Sequence, residues 1–186
     1  MSTTKLKAFV QEINDRLTEK FVQYKMNGCN NLWLLKPGIS SRGRGIRIFN
    51  RVDKIVNHIE WLKGNTRHWV VQKYIENPLI IHKRKFDIRQ WVLVTDWNPL
   101  TIWIYNECYV RFAATEYDPN SFERFTHLTN NTVSSKYQGE FEGDDEIDEN
   151  MWSCDEFISY LNTTYGRDVF QEDIWPQIKS YVKAAL

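Results

Sequence analysis

Apolar residues recur three and four positions apart at the start of the chain, at Leu6, Phe9, Val10, Ile13, Leu17, Phe21 and Tyr24, with Lys, Glu, Asp and Arg between them. That period predicts an amphipathic helix. Gly28 and the Asn30-Asn31 pair end it, since both residue types accept the left-handed backbone that closes a helix. A continuous apolar run, Leu32-Trp33-Leu34-Leu35, reads as a buried strand ending at Lys36-Pro37. A loop over residues 38–45 leads to a second strand, Ile46-Arg47-Ile48-Phe49. Asn50 stands where it can cap a helix over residues 52–63, with Val52, Ile55, Val56 and Ile59 on the inner face.

Strand patterns dominate the middle of the chain. Strands are expected over residues 68–75, 86–95 and 100–106, with Asp96-Trp97-Asn98-Pro99 as the turn before the last, and a further short one over 109–113. Residues 138–150 are acidic and hold little that could enter a core, so they read as an exposed loop. Two helices, over residues 155–164 and 171–185, complete the pattern. There is no internal repeat and no regular βαβ alternation, which favours an α+β fold with largely antiparallel pairing.

Composition narrows the class. A chain of 186 residues, 42% hydrophobic and 26% charged, can bury the core of one domain or two small ones and is not disordered. No apolar run is long enough to cross a bilayer, and Met1-Ser2-Thr3-Thr4-Lys5 leads into no signal-peptide core, so a cytoplasmic chain without membrane insertion is expected. Cys29, Cys108 and Cys154 are odd in number and far apart, which excludes a disulfide framework and a CxxC metal knuckle. The formal net charge is zero, but residues 1–137 hold 21 Lys and Arg against 12 Asp and Glu, while residues 138–186 hold 3 against 12. A basic body of that kind suits an anionic ligand.

Candidate chemistry concentrates in a few strings. On a strand, Lys85, Asp87 and Arg89 point one way and Phe86 and Ile88 the other. Such a face fits either a polar ligand or a solvated edge strand with a weak surface ion pair. The loop Ser40-Ser41-Arg42-Gly43-Arg44-Gly45-Ile46 offers backbone N–H groups and two forked cations to phosphate, with Lys36 at the end of the preceding strand. It equally fits a plain hairpin turn, and it is neither a Walker A loop nor a dinucleotide fingerprint. Val70-Val71-Gln72-Lys73-Tyr74-Ile75 could read an adenine edge or be an ordinary buried strand.

Arg111, between aromatic and apolar neighbours, must pair with something, an acidic substrate group or a phosphate among the options. Thr129 and Asn130 fit a ligand contact or a turn and cap. His127 reads as a structural hydrogen-bonder, with no second His or Cys at metal spacing. The acidic stretch lacks the spacing of an EF-hand, and no serine or cysteine nucleophile signature is present, so no metal ligand is assigned. The 8 Trp, 9 Tyr and 10 Phe could form a nucleic-acid platform, but they occupy apolar strand and helix positions and are expected in the core.

Taken in order, the strand ending in Lys-Pro-Gly, then Ser-Arg-Gly-Arg-Gly-Ile, Val-Gln-Lys-Tyr-Ile, Lys-Phe-Asp-Ile-Arg and His-Leu-Thr-Asn resemble the tubulin tyrosine ligase-like family of ATP-grasp ligases. The run from Arg89 to Leu100 and the segment from Asp148 to Ser153 are most similar to its glycylase branch. The resemblance implies an incomplete ATP-grasp: a helical lead-in at residues 1–27, a central domain at 28–75 and a partial C-terminal domain at 76–186 with its acidic loop. It implies ATP and Mg²⁺ as cofactors and glycine as co-substrate. The partners implied are tubulin C-terminal tails and microtubules, with no nucleic acid, at the cytoskeleton and in a cilium or flagellar axoneme. ATP would phosphorylate a tail glutamate, and the glycine amine would attack the acyl-phosphate.

By the same resemblance, Lys36 contacts phosphates, and Ser41, Arg42, Gly43, Arg44 and Gly45 close over them. Gln72, Lys73 and Ile75 hold adenine, while Lys85 and Asp87 face the phosphates and the sugar. Arg89 and Arg111 stabilise the transferred phosphoryl group, and Thr129 and Asn130 help place the substrate. The resemblance also implies that family members continue beyond the equivalent of Leu186 to an acidic strand and a magnesium-binding Glu-x-Asn motif, so weak or absent activity is expected of this chain alone. A glutamylase acting on the same tails, or a non-catalytic module binding nucleotide or tails, are the other functions consistent with these strings.

Overall fold

The computed structural model describes residues 3–21, 23–62, 68–139 and 150–186. The acidic loop expected at 138–150 falls mostly outside the described residues. The chain divides into two compact units, one of residues 1–79 and 118–127, the other of residues 80–117 and 128–186. Both mix helices with antiparallel sheet, the α+β arrangement that the patterning predicts.

The first unit opens with α1 (Thr3–Lys20), none of whose residues is buried. A single 3₁₀ turn, Tyr24–Met26, follows it. A three-stranded sheet in the order β2 (Arg47–Phe49), β1 (Trp33–Pro37), β3 (Trp69–Lys73) forms the body, with α2 (Val52–Trp61) between β2 and β3 in sequence. Two details of α2 correct the expectation. Its first capping position is Arg51, which clamps Asp53 through Nε and Nη2 at 2.9 and 3.0 Å, while the Asn50 carbonyl accepts from Asn31 Nδ2. Of the four inner-face residues only Ile55 is buried, and Val52 is 74% exposed. The aromatic contacts of α2 run instead through His58, packed on Phe49 and Trp69 with ring centroids 5.6 and 6.2 Å apart.

A buried ionic knot closes this unit. Glu76, 1% exposed, accepts from the backbone N–H of Asn30 and Leu32 at 2.6 and 2.7 Å and from Lys73 Nζ at 2.6 Å. Lys73 shares its remaining hydrogens among the carbonyls of Asn27, Leu32 and Tyr74. Burial by itself would raise the Glu76 carboxyl, but these donors outweigh it and hold it below its usual value. Gly28, at φ +66°, lies so close to Glu76 that a methyl group there would overlap the carboxylate side chain. Nearby, His127 of α3 (Arg124–His127) has the structural role expected of it. Its Nε2 must donate to the Ser121 carbonyl at 2.8 Å, so Nδ1 accepts from the Tyr74 hydroxyl at 2.8 Å.

The second unit is built on a four-stranded antiparallel sheet in the order β4 (Ile80–Ile81), β5 (Arg84–Trp97), β6 (Leu100–Phe112), β7 (Met151–Ser153). The two strands expected at 100–106 and 109–113 are one. Where the pattern breaks, the pairing slips from Gln90↔Cys108 to Val92↔Ile104, a bulge rather than an end. Gln90 holds the bulge, its amide donating to the carbonyls of Tyr105 and Trp91 at 2.6 and 3.2 Å. The strands β4 and β7 were not anticipated, since two or three residues carry too little alternation to read.

The core lies on one side of this sheet. Val110, Phe112, Trp152 and Cys154 meet Phe157 and Leu161 of α5 (Cys154–Tyr165) and Phe170, with Phe86 and Ile88 packed against them. A reciprocal capping box between Ser153 and Glu156 starts α5, and Gly166 at φ +67° ends it. The last expected helix is resolved into a π-helical turn, Phe170–Ile174, and then α6 (Trp175–Ala185). Between α3 and β7 lies the single-turn helix α4 (Asn131–Ser134).

Two outcomes follow from these contacts. Because the Glu76 carboxyl is held low, its stabilisation is complete above the unfolded value and lost as the pH falls through the folded one. Glu76→Gln should lower stability at neutral pH by roughly 2–4 kcal/mol and flatten the loss of stability below about pH 5. Urea unfolding of both proteins across that range checks this, and parallel pH curves would exclude Glu76 as the source. Burial and the neighbouring Cys154 push the Cys108 thiol up to about 12, and both are buried while Cys29 is exposed. Iodoacetamide at mildly alkaline pH should therefore label the native chain at Cys29 alone, and native-state adducts on Cys108 or Cys154 would contradict the packing.

Candidate active site

The second unit sorts its strand residues by charge. Lys85, Asp87 and Arg89 share one face of β5, and the register sets Asp87 opposite Arg111 and Arg89 opposite Tyr109 on β6. The other face carries Phe86, Ile88, Val110 and Phe112 into the core. Arg111 needed a partner, and Asp87 supplies it through a two-pronged contact, Nε to Oδ1 at 2.9 Å and Nη2 to Oδ2 at 2.5 Å. The pairing raises Arg111 further above its usual value, hydrogen bonding to Asp87 outweighing burial. Arg111 is buried, yet the fork uses two of its five N–H donors, and the rest are not committed to Asp87. Arg89 stands exposed on the same face.

Asn130 arrives at the same end of this unit by a separate route. It heads α4 with its backbone carbonyl accepting from Val133 and Ser134, and its side chain makes no capping bond. Ser134 Oγ donates to the Phe112 carbonyl at 3.4 Å, so α4 hangs on the residue after Arg111. Thr129 beside it is half-buried. Sequence reasoning passed over Tyr109, although a period of two counted back from Arg111 would have found it. It also passed over Arg84, a buried anchor that donates to the Ala113 carbonyl through Nε at 2.7 Å and to Asn150.

The first unit holds the remaining candidates. Lys36 Nζ donates to Gln72 Oε1 at 2.6 Å. The register puts both on the sheet face opposite Phe49 and Trp69, which take the His58 contact of α2. The bonds from Tyr74 N to the Leu32 carbonyl and from Gly38 N to the His68 carbonyl set the phase of the ladder. By alternation, the backbone groups of Gln72 and Val70 bond β1, and those of Val71 and Lys73 turn to the edge away from β1. Lys73 can therefore offer a ligand its main chain, while its ammonium belongs to the Glu76 knot. Ile75 follows, 41% exposed.

The glycine-containing segment is the loop of an antiparallel hairpin between β1 and β2. Arg42, Gly43 and Gly45 have φ of 60°, 73° and 75°, and the side chains of Ser41, Arg42 and Arg44 are exposed. At Gly45 an added methyl would also meet the Pro37 ring at 3.0 Å. Among the described residues no three His, Cys, Asp or Glu side chains are grouped to hold a metal ion. Forked and point cations set over a packed apolar layer are suited to holding carboxylate and phosphoryl oxygens.

Comparison with known proteins bears on these features. The sequence pattern of the tubulin-tyrosine ligase family matches residues 2–186. Over 91% of its length the chain is 49% identical to tubulin glycylase 3C of Tetrahymena thermophila, of which it covers 16%. It is 44% identical over 75% of its length to tubulin monoglycylase TTLL3 of Danio rerio, covering 18% of that protein. Protein monoglycylase TTLL8 of Homo sapiens is 39% identical over 95% of the chain, which covers 21% of it. The chain thus spans about a fifth of the length of these relatives. With a match across essentially all of its residues, the chain belongs to the tubulin-tyrosine ligase family.

Proposed function

We propose that this chain is the nucleotide-binding and carboxylate-activating part of an ATP-dependent ligase that joins glycine to glutamate side chains of tubulin C-terminal tails, on an ATP-grasp scaffold. The observation that carries the reading is Arg111, forked to Asp87 with donors to spare and flanked by Arg89 on a face backed by the core. Glycylase names recur among the relatives, which favours glycine over glutamate as the incoming amino acid.

In this reading each unit supplies its own groups. The first contributes Lys36 and the Ser41–Gly45 segment to the phosphates of ATP, with Gln72 and the main chain of Lys73 and Ile75 to adenine. The second contributes Lys85 to the phosphates, the remaining lone pairs of Asp87 to the sugar, and Arg89 and Arg111 to the reacting oxygens. When a carboxylate takes up a phosphoryl group, negative charge shifts onto oxygens that the two arginines would stabilise. The glycine amine then displaces phosphate from the acyl group, a step for which Thr129 and Asn130 would help hold the incoming molecule. The described residues present no cluster suited to Mg²⁺. The working place of such a ligase is the microtubule surface in the cytoplasm, or the axoneme of a cilium or flagellum.

The test is a chimaera in which this chain replaces the matching segment of tubulin glycylase 3C. It should incorporate glycine, and not glutamate, into a tubulin tail peptide only when ATP is present. Lys85→Ala or Arg89→Ala should lower that rate by about a hundredfold or more while leaving the circular dichroism spectrum unchanged. Near-normal turnover in either variant would remove that residue from the site. Glutamate incorporation would overturn the choice of amino acid, and binding of an ATP analogue without any transfer would reassign the chain to a non-catalytic role.

A further inference from the structure

Beyond Gln90 the β5–β6 hairpin leaves the core and exposes its apolar residues. Trp91, Leu93, Trp103 and Tyr105 are 64%, 60%, 62% and 59% exposed. This corrects the expectation that the aromatic residues pack inside. The bulge displaces the pairing from Gln90↔Cys108 to Val92↔Ile104, a slip of two residues along β6. Side chains alternate with a period of two, so an even slip leaves the faces unexchanged. Trp91 and Leu93 therefore continue the face of Asp87 and Arg89, and Tyr105 and Trp103 that of Arg111 and Tyr109, with Leu93 directly opposite Trp103.

One sheet face thus carries two chemistries in sequence. At one end are Lys85, Arg89 and the forked Arg111. Along the other stand Trp91, Leu93, Trp103 and Tyr105, which with Val92 and Ile104 line an open apolar cavity of about 670 Å³. The indole N–H of Trp103 is already used, donating to Thr95 Oγ1 at 3.1 Å, so its ring offers apolar surface and no donor. Residues 91–105 contain a single charge, Asp96, paired with Thr101 near the tip of the hairpin. That carboxylate disfavours further acidic residues at the far end, while the cations favour them at the near end. A large exposed apolar surface of this kind marks an interaction site.

We propose that this face docks the acceptor peptide, an extended acidic segment that carries a large apolar side chain near the glutamate to be modified. The proposal rests on the reading of Arg89 and Arg111 as contacts to the acceptor carboxylate. Arg89 and Leu93 are four residues apart, or roughly 14 Å of strand. An extended peptide alongside spans the same distance in about four residues, so the apolar side chain belongs about four positions from the glutamate. Odd offsets turn it away from the strip.

Fluorescence anisotropy of labelled peptides with the chain itself tests this, without ATP or glycine. The peptides are a glutamate-only sequence, the same sequence with phenylalanine four residues from the central glutamate, and a third with it three residues away. The second peptide should bind about tenfold or more tightly than the first. The third should lose most of that gain. The Leu93→Ala/Trp103→Ala double variant should erase the advantage and leave affinity for the glutamate-only peptide unchanged, whereas Arg89→Ala should weaken both. No gain from phenylalanine, a gain that survives the double variant, or no binding of any peptide would overturn the proposal. So would a wild-type dimer by sedimentation that the double variant abolishes, since the strip would then serve a second copy. Because the assay needs no chemistry, absent glycine transfer leaves a positive result standing. Transfer without any preference for phenylalanine would overturn the docking face alone.

Discussion

The bidentate contact between Asp87 and Arg111 is the constraint on which the second unit turns. It ties β5 to β6 at the point where an arginine side chain is almost entirely withdrawn from water, 11% exposed, against a carboxylate that keeps 39% of its exposure. A slip of one residue would rotate Arg111 into the aromatic core and Phe112 onto the polar face. Both misplacements are costly, because one buries a charge without a partner and the other empties a site packed by Phe86 and Trp152. Charge pairing and core packing therefore select the same register, and that register decides which residues stand beside Arg89.

The first unit solves a different problem with the same means. Glu76 is buried with Lys73 half-buried against it, and their hydrogen bonds are made to the backbone of Asn27, Asn30 and Leu32, in the segment that leads into β1. A buried carboxylate is tolerable only when its lone pairs are filled, and here two N–H groups and an ammonium fill them. The cost is that Lys73 is no longer available as a cation to a ligand. In the β1–β2 hairpin the exposed positive charge lies on Arg42 and Arg44, while Lys36 is positioned by Gln72.

The long hairpin shows how a bulge can separate a charged stretch from an apolar one on one continuous surface. Below it, β5 and β6 have helix α5 and its aromatic residues on one side and the charged face on the other. Above it no such layer covers the strands among the described residues, and large apolar side chains face outward. Gln90 stands at the join, its amide nitrogen spent on the carbonyls of the bulge. An even slip preserves alternation, so the bulge adds twist without breaking the face.

Local periodicity was enough to group Lys85, Asp87 and Arg89, to separate them from Phe86 and Ile88, and to locate most helices and strands, because side-chain direction within one element depends only on near neighbours. The ordered motifs were likewise legible in one dimension and pointed to the family. Cross-strand partnership was not. Asp87 and Arg111 lie 24 residues apart, and only the register makes them a pair. Nor could the strings show that Lys73 is consumed by Glu76, that strands 100–106 and 109–113 are one, or that Asn130 caps a helix with its backbone alone. The exposed tryptophans mark the limit most clearly. Alternation on a strand reads the same whether or not a second layer covers it, so the sequence by itself determined which side chains share a face, and only the tertiary structure decided which faces are buried.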